Sequence, residues 1–186
     1  MSEHKTPFSA SAYGPVVTEL LVSPRLAPLG PGSPNRAVEA RLRSLTPDTL
    51  FAPRHLVDAD MAVACLAGLW LYHDFLDESH TISQSIDTTS GSYWHGLMHR
   101  REPDASNAAY WFRRVGNHPL FEMLARDANE LGVQLDSQLW NPLAFIDLCE
   151  KHRGTGSEEE MLLRRVQQRE WELLFDWCFR KAIGSE

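Results

Sequence analysis

MAVACLAGLWLYHDFLDESHTISQ, residues 61–84, begins as the most apolar run of the chain and turns polar without losing its helical spacing. At about 100° per residue, Leu66, Leu69, Trp70, His73, Asp77, His80 and Gln84 fall on one stripe. A surface helix places its ionisable groups opposite its apolar ones. Here they continue the same line. The spacing predicts one long central helix, opened by Asp58 or Asp60 and reaching about Ser85, with His73, Asp77 and His80 aimed into the protein. The competing reading is a helix that leaves the core in its last turns, although Leu76 and Ile82 still need apolar neighbours there.

The same residue types return further on as His95, His99 and Glu102. Imidazoles with a carboxylate on facing helices suit Fe, Mn, Ni or Zn, and a helical bundle interior is a common place to build such a site. His73, Asp77, His80, His95, His99 and Glu102 are therefore the candidate ligands for one divalent transition metal. Gly96 stands where the H-E-x-x-H metalloproteases carry their general-base glutamate, so that class is not supported. The plainer alternative is a hydrogen-bonded structural pair of histidines packed against Trp94 and Met98.

Two arginine pairs, Arg100-Arg101 and Arg113-Arg114, set a local positive field around the histidine helix. Arg114 shares a helix face with Asn107 and Trp111, and Tyr110 lies beside it. A guanidinium here can clamp a carboxylate or phosphate. These arginines can equally pair with Glu102, Asp104, Asp77 or Glu78 inside the fold. In the last helix, Gln167 and Glu170 interrupt an apolar stripe of Leu163, Trp171, Leu174, Trp177 and Cys178, and either is placed to complete a site. Asp147 and Glu150 are weaker candidates of that kind.

Working outward, residues 1–35 differ in character from the rest. Six prolines between Pro7 and Pro34, with Gly14, Gly30 and Gly32, predict an extended or partly disordered segment. From residue 36 onward the pattern is helical almost throughout. Pro103 ends the histidine helix, Gly116 and Gly132 end the next two, and a further helix is expected over about Ser137 to Lys151. Ser157-Glu158-Glu159-Glu160 opens the last helix with a capping-box spacing and an acidic first turn. No alternating β-branched run competes after residue 50. The reading is an all-α domain over 36–186, a bundle of about six or seven helices.

Composition excludes several function classes. A net charge of −7 argues against general nucleic-acid binding. Cys65, Cys149 and Cys178 lie far apart in apolar helical context and read as reduced core residues of a cytoplasmic protein. No basic start followed by an apolar run suggests a signal peptide, and the run from Met61 to Tyr72 is too short to span a bilayer. There is no phosphate loop, dinucleotide fingerprint, serine-hydrolase elbow or haem-attachment motif. The six tryptophans are compatible with a homodimer.

Three stretches are distinctive together: Leu71 to His80, Tyr93 to Asp104 (YWHGLMHRREPD) and Tyr110 to Pro119 (YWFRRVGNHP). In them the chain resembles a family of uncharacterised bacterial and fungal proteins. The resemblance covers about the middle third and implies no particular activity. The expected function is a metal-dependent enzyme of hydrolase or oxygenase type acting on a small anionic substrate. Asp77, Glu102 and Arg114 are its candidate catalytic groups, and Arg101, Arg113, Tyr110, Trp94, Trp111, Asn107 and Gln167 its candidate substrate contacts. The alternative is a non-catalytic ligand-binding or interaction domain whose polar core is a structural network.

Overall fold

The computed structural model describes residues 8–133 and 139–185. Among them the chain is all-helical, with no strand and ten α-helices, eight of them of seven residues or longer. After a 3₁₀ turn at Ala10–Tyr13 come α1 (Pro15–Leu20), α2 (Arg36–Arg43), α3 (Pro47–Phe51), α4 (Ala59–Tyr72) and α5 (Leu76–Ser83). Then follow α6 (Thr89–Arg101), α7 (Ala105–Val115), α8 (Leu120–Glu130), α9 (Pro142–His152) and α10 (Glu158–Ala182). The start expected for α9 at Ser137 lies outside the described residues. No described helix is long and apolar enough to cross a membrane.

Besides α3, capped by Thr46, five of the described helices begin at a side-chain cap. Asp58 accepts from the Met61 N–H, Thr88 from Gly91, Asp104 from Asn107, Asn141 from Leu143 and Ala144, and Ser157 from Glu160. Each satisfies an amide the first turn would leave without a partner.

The long central helix expected over residues 58–85 is two helices. α4 stops at Tyr72, His73 caps it, and Asp74 takes a left-handed conformation at φ 62°. The Asp74 N–H then bonds the Leu71 carbonyl at 3.1 Å and the Phe75 N–H bonds that of Trp70 at 3.0 Å. This is the Schellman ending, in which the residue after the cap is usually glycine. Its usual hydrophobic contact is present as well, with the Trp70 and Phe75 rings 5.1 Å apart. An aspartate accepts the left-handed position more readily than most residues, and here its carboxylate is held by Arg25 at 2.6 Å and by Arg101. The apolar stripe hid this break because the helix resumes three residues later.

α6 is the axis of the molecule: every residue from Ser90 to Arg101 is buried. It lies against α4, α5 and α7, while α10, the longest helix, packs on α4, α8 and α9. Two glycines permit the close approaches. A Cβ on Gly68 would stand 2.8 Å from the Trp94 ring, and one on Gly96 would stand 3.0 Å from Phe112.

The N-terminal segment, where described, combines a 3₁₀ turn, α1 and an extended stretch. Pro15 sits in the first turn of α1, where its missing N–H costs nothing. Tyr13, Val17, Leu20 and Leu29 are buried in the common core. Residues 24–34 then cross the molecule as a strap whose carbonyls are taken one after another by side chains of the helices. Arg164 bonds Leu26 at 2.5 Å and Ala27 at 3.0 Å, and Gln167 bonds Pro28 at 3.0 Å. Arg153 bonds Leu29 at 3.4 Å and Arg101 bonds Gly30 at 2.9 Å. A proline-rich chain cannot satisfy these carbonyls with its own amides, so arginine and glutamine side chains replace the ladder.

Candidate metal centre

The break between α4 and α5 decides which polar residues meet. It re-aims α5 so that His80 faces α6, where His95 and His99 stand one turn apart. Their ligand atoms all lie within 4.8 Å of one another. His95 Nε2 and His99 Nε2 are 3.0 Å apart, and His99 Nδ1 is 3.0 Å from a carboxylate oxygen of Glu102. The His80 ring is 4.7 Å from that of His95 and 5.2 Å from that of His99. His95 and His99 are buried, His80 half-buried, and Glu102 reaches solvent.

Proton positions follow from the acceptors. The Glu102 carboxylate only accepts, so His99 carries its proton on Nδ1 and presents a lone pair at Nε2. His95 Nε2–H donates to that lone pair, which leaves His95 Nδ1 buried and without a partner. Burial, reinforced by the neighbouring His99 and His80, holds His95 down at about 3. Burial also lowers His99, against the opposing pull of Glu102. Both rings are therefore neutral at pH 7, the form that ligates a metal.

The donor set fits a transition metal. Two nitrogens on one tetrahedral ion at about 2.0–2.1 Å lie roughly 3.3 Å apart, close to the 3.0 Å between His95 and His99, while the three ligand atoms together span 4.8 Å. Admitting the ion requires His95 to shift its proton from Nε2 to Nδ1. Three imidazoles with no thiolate suit Zn, Fe or Ni better than Mg or Ca. The outer wall is aromatic: Trp111 stacks on His95 at 3.9 Å between centroids, and Tyr110 meets Trp111 edge-on at 5.4 Å. The Arg114 guanidinium stands over Trp111 at 5.3 Å and reaches Asp87 at 3.6 Å, with both side chains largely in water.

The other candidates lie elsewhere. His73 turns toward the N-terminal segment, where Nδ1 is 3.2 Å from Asn35 Nδ2, and burial lowers it to about 4. Asp77 is exposed, on the rim of an open groove with Arg43, Trp70 and Ile82. Trp94 is wholly buried behind Gly68, and Asn107 is taken up by Asp104, 2.6 Å away. Arg101 is occupied by Asp74 and Gly30, Gln167 by Pro28, and Arg113 is exposed beside Gly116 and Asn117. Glu170 is fully buried, 2.5 Å from Arg100 and 3.0 Å from the Tyr93 hydroxyl. Glu150 pairs with Arg153. Sequence reasoning missed Asp74, whose signal was the aspartate between a helix end and an aromatic, and Asn35.

Compared with known proteins, the chain matches no protein-family model, no curated protein and no solved structure. The site is read from its own geometry.

Proposed function

We propose that this protein binds a divalent transition metal through His80, His95 and His99 and acts as a metal-dependent enzyme, of hydrolase or oxygenase type, on a small anionic substrate. The observation that carries the reading is the convergence of three imidazoles from two helices within 4.8 Å. Three protein ligands leave a coordination position open, which supplies Lewis acidity or oxygen chemistry there. Glu102 fixes the tautomer of His99 through Nδ1 and, being exposed, is free to accept a proton from a reacting group. Arg114 meets the anionic end of the substrate, since its contact with Asp87 is long and open to water. Trp111 and Tyr110 wall the approach.

A second reading rests on the direct 3.0 Å contact between His95 and His99. With Glu102 it makes a metal-free relay, suited to a non-catalytic ligand-binding or interaction domain. Elemental analysis separates the two, on protein purified without added metal or chelator, beside His80→Ala and His99→Ala. Near-stoichiometric Fe, Mn, Ni or Zn, lost in variants that stay folded, supports the metal centre. Metal-free protein with destabilised variants supports the relay.

A further inference from the structure

Helix α6 has a second polar face. Leu97, Arg100 and Arg101 fall opposite His95 and His99 by their spacing, and they floor a cavity walled by Tyr72, Gln167 and Trp171. Ala27 of the strap roofs it. The cavity measures about 20 Å³.

Two buried groups on this cavity are left without partners. Arg100 is fully buried, and although one amino group bonds Glu170, its Nε and Nη1 have no acceptor. The Phe145 ring, 4.6 Å from the guanidinium carbon, offers no lone pair. Gln167 gives its amide N–H to Pro28, but its carbonyl oxygen has no donor. Leaving such groups unmet is costly, so they mark a place for an occupant.

The charges on the surrounding elements do not balance. Arg25, Arg100, Arg101 and Arg164 gather here, against Asp74, Glu170 and Glu160, which leaves one cation over. Glu172 nearby is taken by Arg169 at 3.1 Å, and the Tyr93 hydroxyl stays neutral because burial pushes it up. Burial also holds the Arg101 guanidinium below its ordinary range in spite of Asp74, with Arg100 and Arg164 adding to the effect. An acceptor for guanidinium N–H, a donor for an amide carbonyl, and one compensating negative charge describe a single chemistry.

We propose that the cavity beneath the strap binds a small oxyanion that keeps one hydroxyl, of the bicarbonate type. Its oxygens accept from Arg100, its hydroxyl donates to Gln167, and the strap covers it. This site is separate from the histidine cluster and does not depend on the metal reading.

The test is thermal unfolding of chelator-treated protein at pH 8, titrated with sodium bicarbonate, nitrate or chloride at equal ionic strength. Removing metal keeps anion binding at the histidines out of the measurement. Bicarbonate is expected to raise Tm saturably, by about 2–4 °C when in large excess. Nitrate, planar and of equal charge but without a hydroxyl, should bind about tenfold more weakly. Gln167→Met should keep anion binding and erase that preference. Gln167→Glu places a carboxylate in the cavity and should abolish both responses. Equal shifts with all three salts, a bicarbonate shift that both variants retain, or no shift at all would each overturn the proposal.

Discussion

The two polar faces of α6 are built to different standards. Behind the helix, Arg101 closes on Asp74 and one amino group of Arg100 closes on Glu170, with Tyr93 adding a hydrogen bond. In front, the neutral His95 and His99 share one hydrogen bond beside His80, one buried nitrogen is idle, and the carboxylate bonded to His99 reaches solvent. A buried charge must be paired for the fold to form at all, whereas a neutral imidazole tolerates partial satisfaction. The ion pairs behind the helix thus belong to folding, the Arg100 nitrogens they leave over face the proposed anion, and the histidine face is where a metal has something to add.

The sharpest way to break this contrast is Glu170→Ala. It strands the Arg100 charge in the core and deprives Tyr93 of its acceptor, so unfolding free energy should fall by about 3–5 kcal/mol. Glu170→Gln, which keeps an acceptor, should fall by less. Urea titration followed by circular dichroism measures both. A loss under about 1 kcal/mol for Glu170→Ala would mean that the fold does not depend on the Arg100–Glu170 pair.

Next in size is an acid response. His118 is buried between Tyr93 and Trp177, its Nδ1 accepts from the Leu120 N–H, and burial pushes it down to about 4. In the unfolded chain it takes a proton near 6.5. Its contribution is therefore complete above pH 6.5, is lost as the pH falls toward 4, and changes no further below that. The share is about 3 kcal/mol by linkage. His118→Asn keeps an acceptor for Leu120 without the titration, so its urea midpoint should fall less than that of the parent between pH 7 and 4.5. Parallel curves would place the acid response in His73 and the histidine cluster instead.

Much of this was legible in the sequence, for identifiable reasons. Helix content and the starts at Asp58 and Ser157 follow from periodicity and capping residues, all local signals, whereas the first turn of α6, capped by Thr88, lies in a stretch whose Gly, Ser and Thr content reads as a loop. His80, His95 and His99 were visible because ligand-type residues stood on helical stripes. What the stripe could not show was the break at Asp74, because that residue becomes left-handed only when Arg25 and Arg101, distant in sequence, hold its carboxylate. Arg101 and Gln167 were read as substrate contacts for a related reason. Their partners are backbone carbonyls of the strap, and a carbonyl leaves no mark on residue identity.

A smaller effect on stability sharpens the front face. His80 is half-buried and accounts for one nitrogen of the cluster. His80→Ala should cost no more than about 1 kcal/mol in metal-free protein. It should nevertheless remove the metal found by elemental analysis and any stabilisation that metal gives. If the variant retains a full complement of metal, His80 is a bystander and His95, His99 and Glu102 must suffice.

The smallest effect is the most diagnostic of the helix break. On one continuous helix, Asp77 and His80 share a face, and removing the Asp77 carboxylate should weaken the metal as removing His80 does. With α4 and α5 separated at Asp74, Asp77 points to solvent beside Arg43, and only its backbone carbonyl is engaged, by Thr81 at 2.9 Å. Asp77→Ala should then change stability by no more than about 0.5 kcal/mol, as exposed positions generally do. Metal content should equal that of the parent. A variant that loses metal as fully as His80→Ala would restore the uninterrupted stripe, and with it a site drawing its carboxylate from α5 rather than from Glu102.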